Sequence, residues 1–219
     1  MKKKIIAQFF FVAALMLVVS QVSFAQDMKG RLGLGARVSY VNFTDDDYTV
    51  YGVDVDVEPN ESIMYGVNLT YFIQKYLSLE LSVDYTETDV DLKALGLSGD
   101  AGDFESIPVL LSLRAHLSTN TKVSPYLLFG VGYFFNDIDQ NDSTIEFIYG
   151  PGAKVDVDDS FGFHVGGGVE VFVSENVALN LDLKYIWTEV ETSVNVAGFT
   201  NEDLDMDSFV AGLGIKYYF

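Results

Sequence analysis

Serine, histidine and acidic side chains are the groups in this chain whose types fit general acid–base chemistry. Both histidines, His116 and His164, lie on the polar side of alternating segments, as do Ser82 and Ser112. A serine activated by a histidine, which an acid in turn orients, is the usual arrangement for acyl transfer. Their positions along the chain do not fix their spacing in three dimensions, and nothing else in the sequence singles out such a site. The sequence therefore predicts no catalytic residue, and we do not expect an enzyme.

Metal, cofactor and nucleic-acid sites are not predicted either. The chain has no cysteine, which excludes thiolate metal sites. The acidic segment DQNDSTIE at 139–146 lacks the turn glycine and the terminal glutamate of a calcium-binding EF-hand. The formal net charge of −19 opposes binding to phosphate backbones, which need a basic surface. We therefore expect no metal, no cofactor and no nucleic-acid partner.

The elements that position the charged side chains are β-strands. Alternation of apolar with polar or small residues has the period of two that strands show, and no long segment of the mature chain has helical periodicity. Eight stretches carry this pattern: 32–41, 65–73, 77–85, 107–117, 127–135, 161–171, 177–187 and 209–219.

The connections between these strands alternate in length. Short turns at 74–76, 118–124 and 174–176 alternate with long segments at 44–62, 87–105, 136–160 and 188–207, which hold 26 of the 32 acidic residues. This pattern, with an even strand count, is typical of outer-membrane barrels. The sequence therefore predicts an all-β fold, an eight-stranded antiparallel transmembrane β-barrel with short periplasmic turns and four long extracellular loops. Some alternation within the long segments predicts that strands extend beyond the bilayer.

The amino-terminal segment has the features of an export signal. Three lysines at 2–4 precede an apolar run from Ile5 to Val19, and Ser23 and Ala25 are the small residues of a cleavage site. We therefore assign residues 1–25 to a signal peptide and residues 26–219 to the outer-membrane barrel domain. A membrane anchor is the alternative, but the run is short for a spanning helix.

Charged residues occur on only one of the two faces of the predicted strands. With the apolar face toward lipid, these residues point into the lumen, in its periplasmic half. Buried charges must be paired, and the lumen of eight strands is just wide enough for side chains to fill. We therefore predict a salt-bridged plug, with a selectivity filter as the alternative. The plug residues are Arg37, Glu80, Asp84, Arg114, Glu170, Asp182, Lys184 and Lys216.

The inward positions of the extracellular half are apolar instead. Such a set fits either a hydrophobic cup that receives an apolar ligand or a packed layer that fills itself. Proline is normally excluded from the middle of a sheet, so Pro108 is a predicted weak point between strands. The residues of this set are Val41, Met64, Pro108, Leu110, Phe134, Ile186 and Val210.

The last residue, Phe219, ends the strand that must pair with the first strand to close the barrel. An outward aromatic at this position is predicted to be the signal that the barrel-assembly machinery reads, so Phe219→Asp or deletion of Phe219 should impair assembly. Normal membrane levels and heat-modifiable gel migration of the variant would argue against that role.

The central segment IPVLLSLRAHLSTNTKVSPYLLFGVGYFF at 107–135 resembles the OmpW family of small outer-membrane barrels. The segments FGFHVGGGVEVFVSENVALNLDLKYIW and GLGIKYYF also fit that family, and OmpA-like and OmpX-like barrels are related alternatives. The resemblance implies a monomeric eight-stranded barrel with a narrow, partly hydrophobic lumen that passes small hydrophobic molecules. The first mature strand lacks the tryptophan-containing opening of the family, and the loops are more acidic.

Two functions follow as expectations. The first is a barrel that binds small hydrophobic molecules or passes them from the exterior into the membrane. The second is a structural or adhesive barrel that interacts through its acidic extracellular loops. Membrane lipid is an expected partner in both.

Overall fold

The computed structural model describes residues 28–44, 46–50, 53–94, 97–117, 122–149, 151–194 and 202–219. The predicted signal peptide, 1–25, lies outside these described residues. In chain order, the described elements are β1 (Leu32–Phe43), β2 (Asp46–Val50), β3 (Val53–Pro59), β4 (Ser62–Gln74), β5 (Leu77–Ala94), β6 (Leu97–His116), β7 (Val123–Gln140), α1 (Asp142–Tyr149), β8 (Val155–Val157), β9 (Ser160–Phe172), β10 (Val177–Val194), β11 (Glu202–Asp205) and β12 (Ser208–Tyr218).

Eight of these strands close into an antiparallel barrel. Their order is β1, β4, β5, β6, β7, β9, β10 and β12, and β12 pairs back with β1 along eleven registered residues from Gly33↔Tyr218 to Phe43↔Ser208. A sheet within a bilayer must close in this way because lipid offers no partner for backbone N–H and C=O groups. The predicted eight-stranded barrel is confirmed.

The remaining strands lie in the long extracellular connections. β2 and β3 form a hairpin that pairs with the upper part of β5, and β8 and β11 pair with the upper part of β10. β5 and β6 themselves continue as paired strands up to Ala94 and Leu97. The strands therefore continue into the long connections, as the alternation there predicted. The connection at 87–105 is strand for nearly all of its length rather than an irregular loop.

One short helix, α1, lies in the third long connection, although no long segment of the sequence shows helical periodicity. It has eight residues, too few for a period of 3.6 to stand out from the surrounding sequence. Asp142 lies in its first turn, where a carboxylate is favourable next to the partial positive charge of the helix. Among the residues that the structure describes, no helix is long and apolar enough to cross a membrane.

The outer face of the barrel is apolar and carries aromatic residues near both ends of the strands. Leu69, Leu111 and Ile215, among many others, are exposed, which is the surface that lipid covers. At the extracellular end, tyrosine hydroxyl groups donate to carboxylates of the loops: Tyr85 to Glu87 at 3.0 Å, Tyr133 to Asp159 at 3.2 Å and Tyr185 to Asp207 at 3.0 Å. Such tyrosines suit the membrane interface, because the apolar ring can contact lipid while the hydroxyl group hydrogen-bonds on the side of water.

Arg31 joins the two strands that close the barrel at the periplasmic rim. Its guanidinium donates to the carbonyl oxygens of Phe219 at 3.2 Å, Tyr218 at 2.9 Å and Glu175 at 3.0 Å. The N–H of Phe219 donates to the carbonyl of Leu32 at 2.8 Å. The Phe219 ring points outward and packs edge-on against Tyr217, with centroids 5.0 Å apart. The predicted role of Phe219 in assembly stays a prediction.

Candidate functional site: the barrel lumen

The lumen is built in layers, because alternate residues of eight strands point inward at successive heights. From the periplasmic end toward the exterior, the described side chains form an apolar floor, a charged network, an apolar cluster and a rim of hydroxyl groups. All the predicted lumen residues are buried in one of these layers or between them.

The charged network begins with Arg37, which makes a two-point contact with Asp84. Its Nη2 lies 2.6 Å and its Nε 3.0 Å from the carboxylate oxygens of Asp84. Nη2 also donates to the hydroxyl of Ser82 at 2.9 Å, and Nη1 lies 3.5 Å from Glu80. A planar guanidinium matches a carboxylate in this two-point geometry, which fixes both side chains.

Arg114 is at the centre of the network and has no exposed surface. Its guanidinium contacts Glu80 and lies 3.5 Å from both Glu170 and Asp182. Lys216 completes the connection, with Nζ 2.6 Å from Glu80 and 2.9 Å from Glu170. All four predicted carboxylates therefore contact at least one of three cations. Side chains fill this level of the lumen.

Inward hydroxyl and amide groups also belong to the network, and sequence analysis did not identify them. Tyr126 donates to Asp182, Tyr218 to Glu170 at 2.9 Å and Thr70 to Glu80 at 2.9 Å. Their inward position follows from the same alternation that placed the charges. Their partners depend on the offset between strands, which the sequence does not reveal.

Lys184 does not form the salt bridge that was predicted for it. It is 2% exposed, yet among the described residues no carboxylate oxygen lies within 4.0 Å of its Nζ. The expectation that Lys184 forms a direct salt bridge was therefore wrong. On β10 it stands between Asp182, in the network, and Ile186, in the apolar layer above, so the carboxylates lie below it.

An apolar cluster lies above the charged network. Six of the seven predicted cup residues pack together here, with Phe43 against them: Val41, Met64, Leu110, Phe134, Ile186 and Val210. Pro108 is buried beside the cluster but is not a member of it. In the structure these side chains contact one another.

A rim of buried hydroxyl groups lies one inward position above the cluster. Ser62 contacts Thr86 at 3.1 Å, and Ser106 donates to Asn136 at 2.8 Å. The rim residues are Ser62, Thr86, Ser106, Ser160, Thr188 and Ser208. The polarity of the lumen therefore changes from hydroxyl to apolar to charged on passing inward from the exterior.

The floor of the lumen is a second apolar cluster, which sequence analysis missed. Met28, Phe72, Ala178 and Tyr218 are buried together, with Phe172 against them. Met28 precedes the first strand, so strand alternation gives no signal for it. This cluster covers the charged network on the periplasmic side.

The ladder between β5 and β6 is interrupted beside the apolar cluster. Val83 pairs with Val109 and Thr86 pairs with Ser106 in one register, but no pair joins 84–85 to 107–108 within this described stretch. Pro108 supplies the physical reason, because proline has no N–H to donate to a ladder. On its other side, Pro108 pairs with Phe134 of β7. The interruption is therefore confined to one seam of the barrel.

The histidines lie in serine-rich surroundings without a catalytic arrangement. His164 Nε2 lies 2.8 Å from the Ser112 hydroxyl, and its Nδ1 has no hydrogen-bond partner among the described residues. His116 lies between Ser78 at 2.9 Å and Ser124 at 3.1 Å. Ser82 pairs with Arg37 and Asp84 instead. In the part of the chain that the structure describes, no group of three or more His, Cys, Asp or Glu residues is arranged to hold a metal ion.

Carboxylates form two rows across β5, β6 and β7 on the outer face, just above the aromatic girdle. The rows follow from the strand registers: Glu87↔Glu105↔Asp137 and Asp89↔Asp103↔Asp139. A hydrogen bond with Asp89 raises the pKa of Asp103, and burial and the charge of Asp89 act in the same direction. We call these six residues the acidic rows.

Comparisons with known proteins agree with this architecture. The model of the outer membrane protein beta-barrel domain family matches residues 11–219. An outer-membrane protein of Sinorhizobium fredii, y4mB, is 25% identical over 182 residues, which cover 80% of this chain and 75% of that protein.

Two solved structures are similar in fold. OprG from Pseudomonas aeruginosa superposes with a TM-score of 0.75 at 20% identity, over 90% of this chain and 99% of that one. Outer membrane protein W of E. coli gives a TM-score of 0.59 at 19% identity, over 89% of this chain and 100% of that one. The predicted resemblance to the OmpW fold is thereby confirmed. Since the family model covers nearly the whole sequence, this chain belongs to the outer membrane protein beta-barrel domain family and resides in the outer membrane.

Proposed function

We propose that this barrel binds small hydrophobic molecules at its extracellular end and releases them sideways into the membrane. The apolar cluster is the binding site, entered past the hydroxyl rim, and the barrel acts as a monomer without catalysing a reaction. The charged network and the apolar floor block a straight path to the periplasm. The ligand therefore leaves through the wall.

The interruption at Pro108 is the observation that carries this proposal. It lies beside the binding cluster, in the one layer where a sideways path would help an apolar ligand. A seam that lacks ladder hydrogen bonds opens at a lower cost in free energy than a fully paired one. Packed side chains of the cluster, Met64 above all, are adaptable enough to give way to a ligand.

Replacement of Leu110 or Ile186 by glutamate tests the binding site. We expect either variant to weaken binding of a fluorescent apolar probe by at least about tenfold, because it loses a buried side chain worth about 1.5–3 kcal/mol and gains a charge in an apolar layer. Asn42→Glu is the matched control: it adds the same charge next to Val41 but points outward. Equal affinities in all four proteins would refute the binding site and leave a self-filled layer.

An adhesive barrel is the second candidate, and the acidic rows favour it. Six carboxylates on one outer face suit a basic partner outside the cell. Replacing all six with Asn or Gln should then abolish binding of intact cells to a polycationic surface and leave probe binding unchanged. Unchanged adhesion of this variant would argue against the second candidate, and unchanged probe binding is expected under both.

A further inference from the structure

We propose that Lys184, His164 and Ser39 form a polar subsite at the bottom of the apolar cluster, and that it binds the oxygen end of an uncharged amphiphile such as a long-chain alcohol. This inference rests on the proposed function and names the class of ligand. The hydrocarbon chain would occupy the apolar cluster, with the oxygen directed toward the charged network.

Strand order and register place the three side chains at the same level of the lumen, on β1, β10 and β9. On β1, Ser39 is the inward residue between Arg37 of the network and Val41 of the cluster. On β10, Lys184 lies between Asp182 and Ile186 in the same way. His164 on β9 is the register partner of Ile186. Ser39 and Lys184 therefore border both the charged network and the apolar cluster, and His164 lies level with the cluster.

Each of the three has unused hydrogen-bonding capacity. All three are buried, and each has only 2% of its surface exposed. The Ser39 hydroxyl and His164 Nδ1 have no hydrogen-bond partner among the described residues, and Lys184 has no carboxylate within the salt-bridge distance. Buried polar groups are nearly always paired, so the two unpaired atoms, Ser39 Oγ and His164 Nδ1, mark this level as one where a ligand can supply a partner. An oxygen atom delivered by a ligand would accept from the Lys184 ammonium and pair with its neighbours.

Charge balance selects an uncharged oxygen over a carboxylate. The network has four carboxylates, and Arg37, Arg114 and Lys216 contact all of them. Among the inward residues that the structure describes at these levels, Lys184 is the fourth cation, so this set is neutral before a ligand binds. A fatty acid anion would add a fifth negative charge to a buried neutral set, which is unfavourable. A hydroxyl group adds none and still accepts a hydrogen bond.

Competition between ligands of equal chain length tests the subsite. Decanol, decane and decanoate would displace a bound apolar fluorescent probe from the protein in lipid nanodiscs, after correction for partition into protein-free nanodiscs. For the wild type we expect decanol to bind about 3- to 10-fold more tightly than decane, as one net hydrogen bond allows. Decanoate should bind more weakly than decanol.

Lys184→Met and Ser39→Ala separate the subsite from the cluster. We expect Lys184→Met to remove the preference for decanol and to leave decane binding in place, and Ser39→Ala to reduce the preference. Equal binding of decanol and decane to the wild type, a preference that survives in Lys184→Met, or tightest binding of decanoate would each overturn the subsite. If neither decane nor decanol displaces the probe, the proposed function itself fails.

A measurement on the wild type keeps the proposal testable if a variant does not fold. The chain has only two histidines, so their ring nitrogen NMR signals are simple to assign. Decanol should shift the Nδ1 signal of His164 and leave that of His116 unchanged, and decane should shift neither. Unchanged His164 signals at saturating decanol would overturn the subsite.

Discussion

Glu80→Gln should reduce the free energy of unfolding by about 3–5 kcal/mol, the usual cost of removing one partner from a buried ion pair. The Glu80 carboxylate contacts Arg114, Lys216 at 2.6 Å and Thr70 at 2.9 Å. Glutamine keeps the shape but removes the negative charge, and it leaves both cations without full compensation. Urea unfolding in micelles, followed by heat-modifiable gel migration and by the fluorescence of Trp187, measures the loss.

Two further variants make this result specific. Glu87→Gln carries the same change on the same strand at an exposed position, so its effect should stay within about 0.5 kcal/mol. The double variant Glu80→Gln/Lys216→Met removes one charge of each sign and should lose less stability than the sum of the single variants. A Glu80→Gln effect no larger than that of Glu87→Gln would show that the network does not stabilise the barrel.

Pro108→Ala should slow the uptake of an apolar probe by about 2- to 10-fold and stabilise the barrel at the same time. Alanine restores an N–H to the interrupted stretch of β6. One additional ladder hydrogen bond is worth about 0.5–1.5 kcal/mol, so opening of the seam would become about 2- to 10-fold rarer. Uptake is followed as the fluorescence increase of a naphthylamine probe added to cells that express equal amounts of each variant.

Pro125→Ala is the control for that experiment. Pro125 also lies in a barrel strand, but it pairs with Val169 near the periplasmic turns, far from the apolar cluster. Its replacement should leave uptake unchanged. Uptake by Pro108→Ala at the wild-type rate would mean that the seam is not the exit.

The barrel itself could be predicted from the sequence because two strong constraints coincide. Alternation shows which side chains share a face, and a bilayer requires closure, so a residue such as Leu110 can be assigned to the lumen from its position in the pattern. Strand direction then gives its height. The six packed cup residues were found in this way.

Contacts across strands could not be predicted, because they depend on the offset of each strand relative to the next. Lys184 has the same alternation as Asp182, yet it lies too far from the carboxylates to pair with them. Met28 fills the floor of the barrel from outside any strand, and α1 is too short to show a period. The interruption at Pro108 could be predicted, because a residue without an N–H removes a ladder hydrogen bond whatever the offset between the strands.

A reversible lock on the seam tests the central claim, sideways release of the ligand, most directly. The chain has no cysteine, so Tyr85→Cys/Ile107→Cys places the only two thiols at opposed outward positions across the interruption. Leu81→Cys/Leu111→Cys is the control, at a registered pair of the same two strands. We predict that oxidation stops probe uptake in the first variant and that reduction restores it, while the control transports equally in both states. Uptake that continues at the wild-type rate with the seam locked would contradict the account.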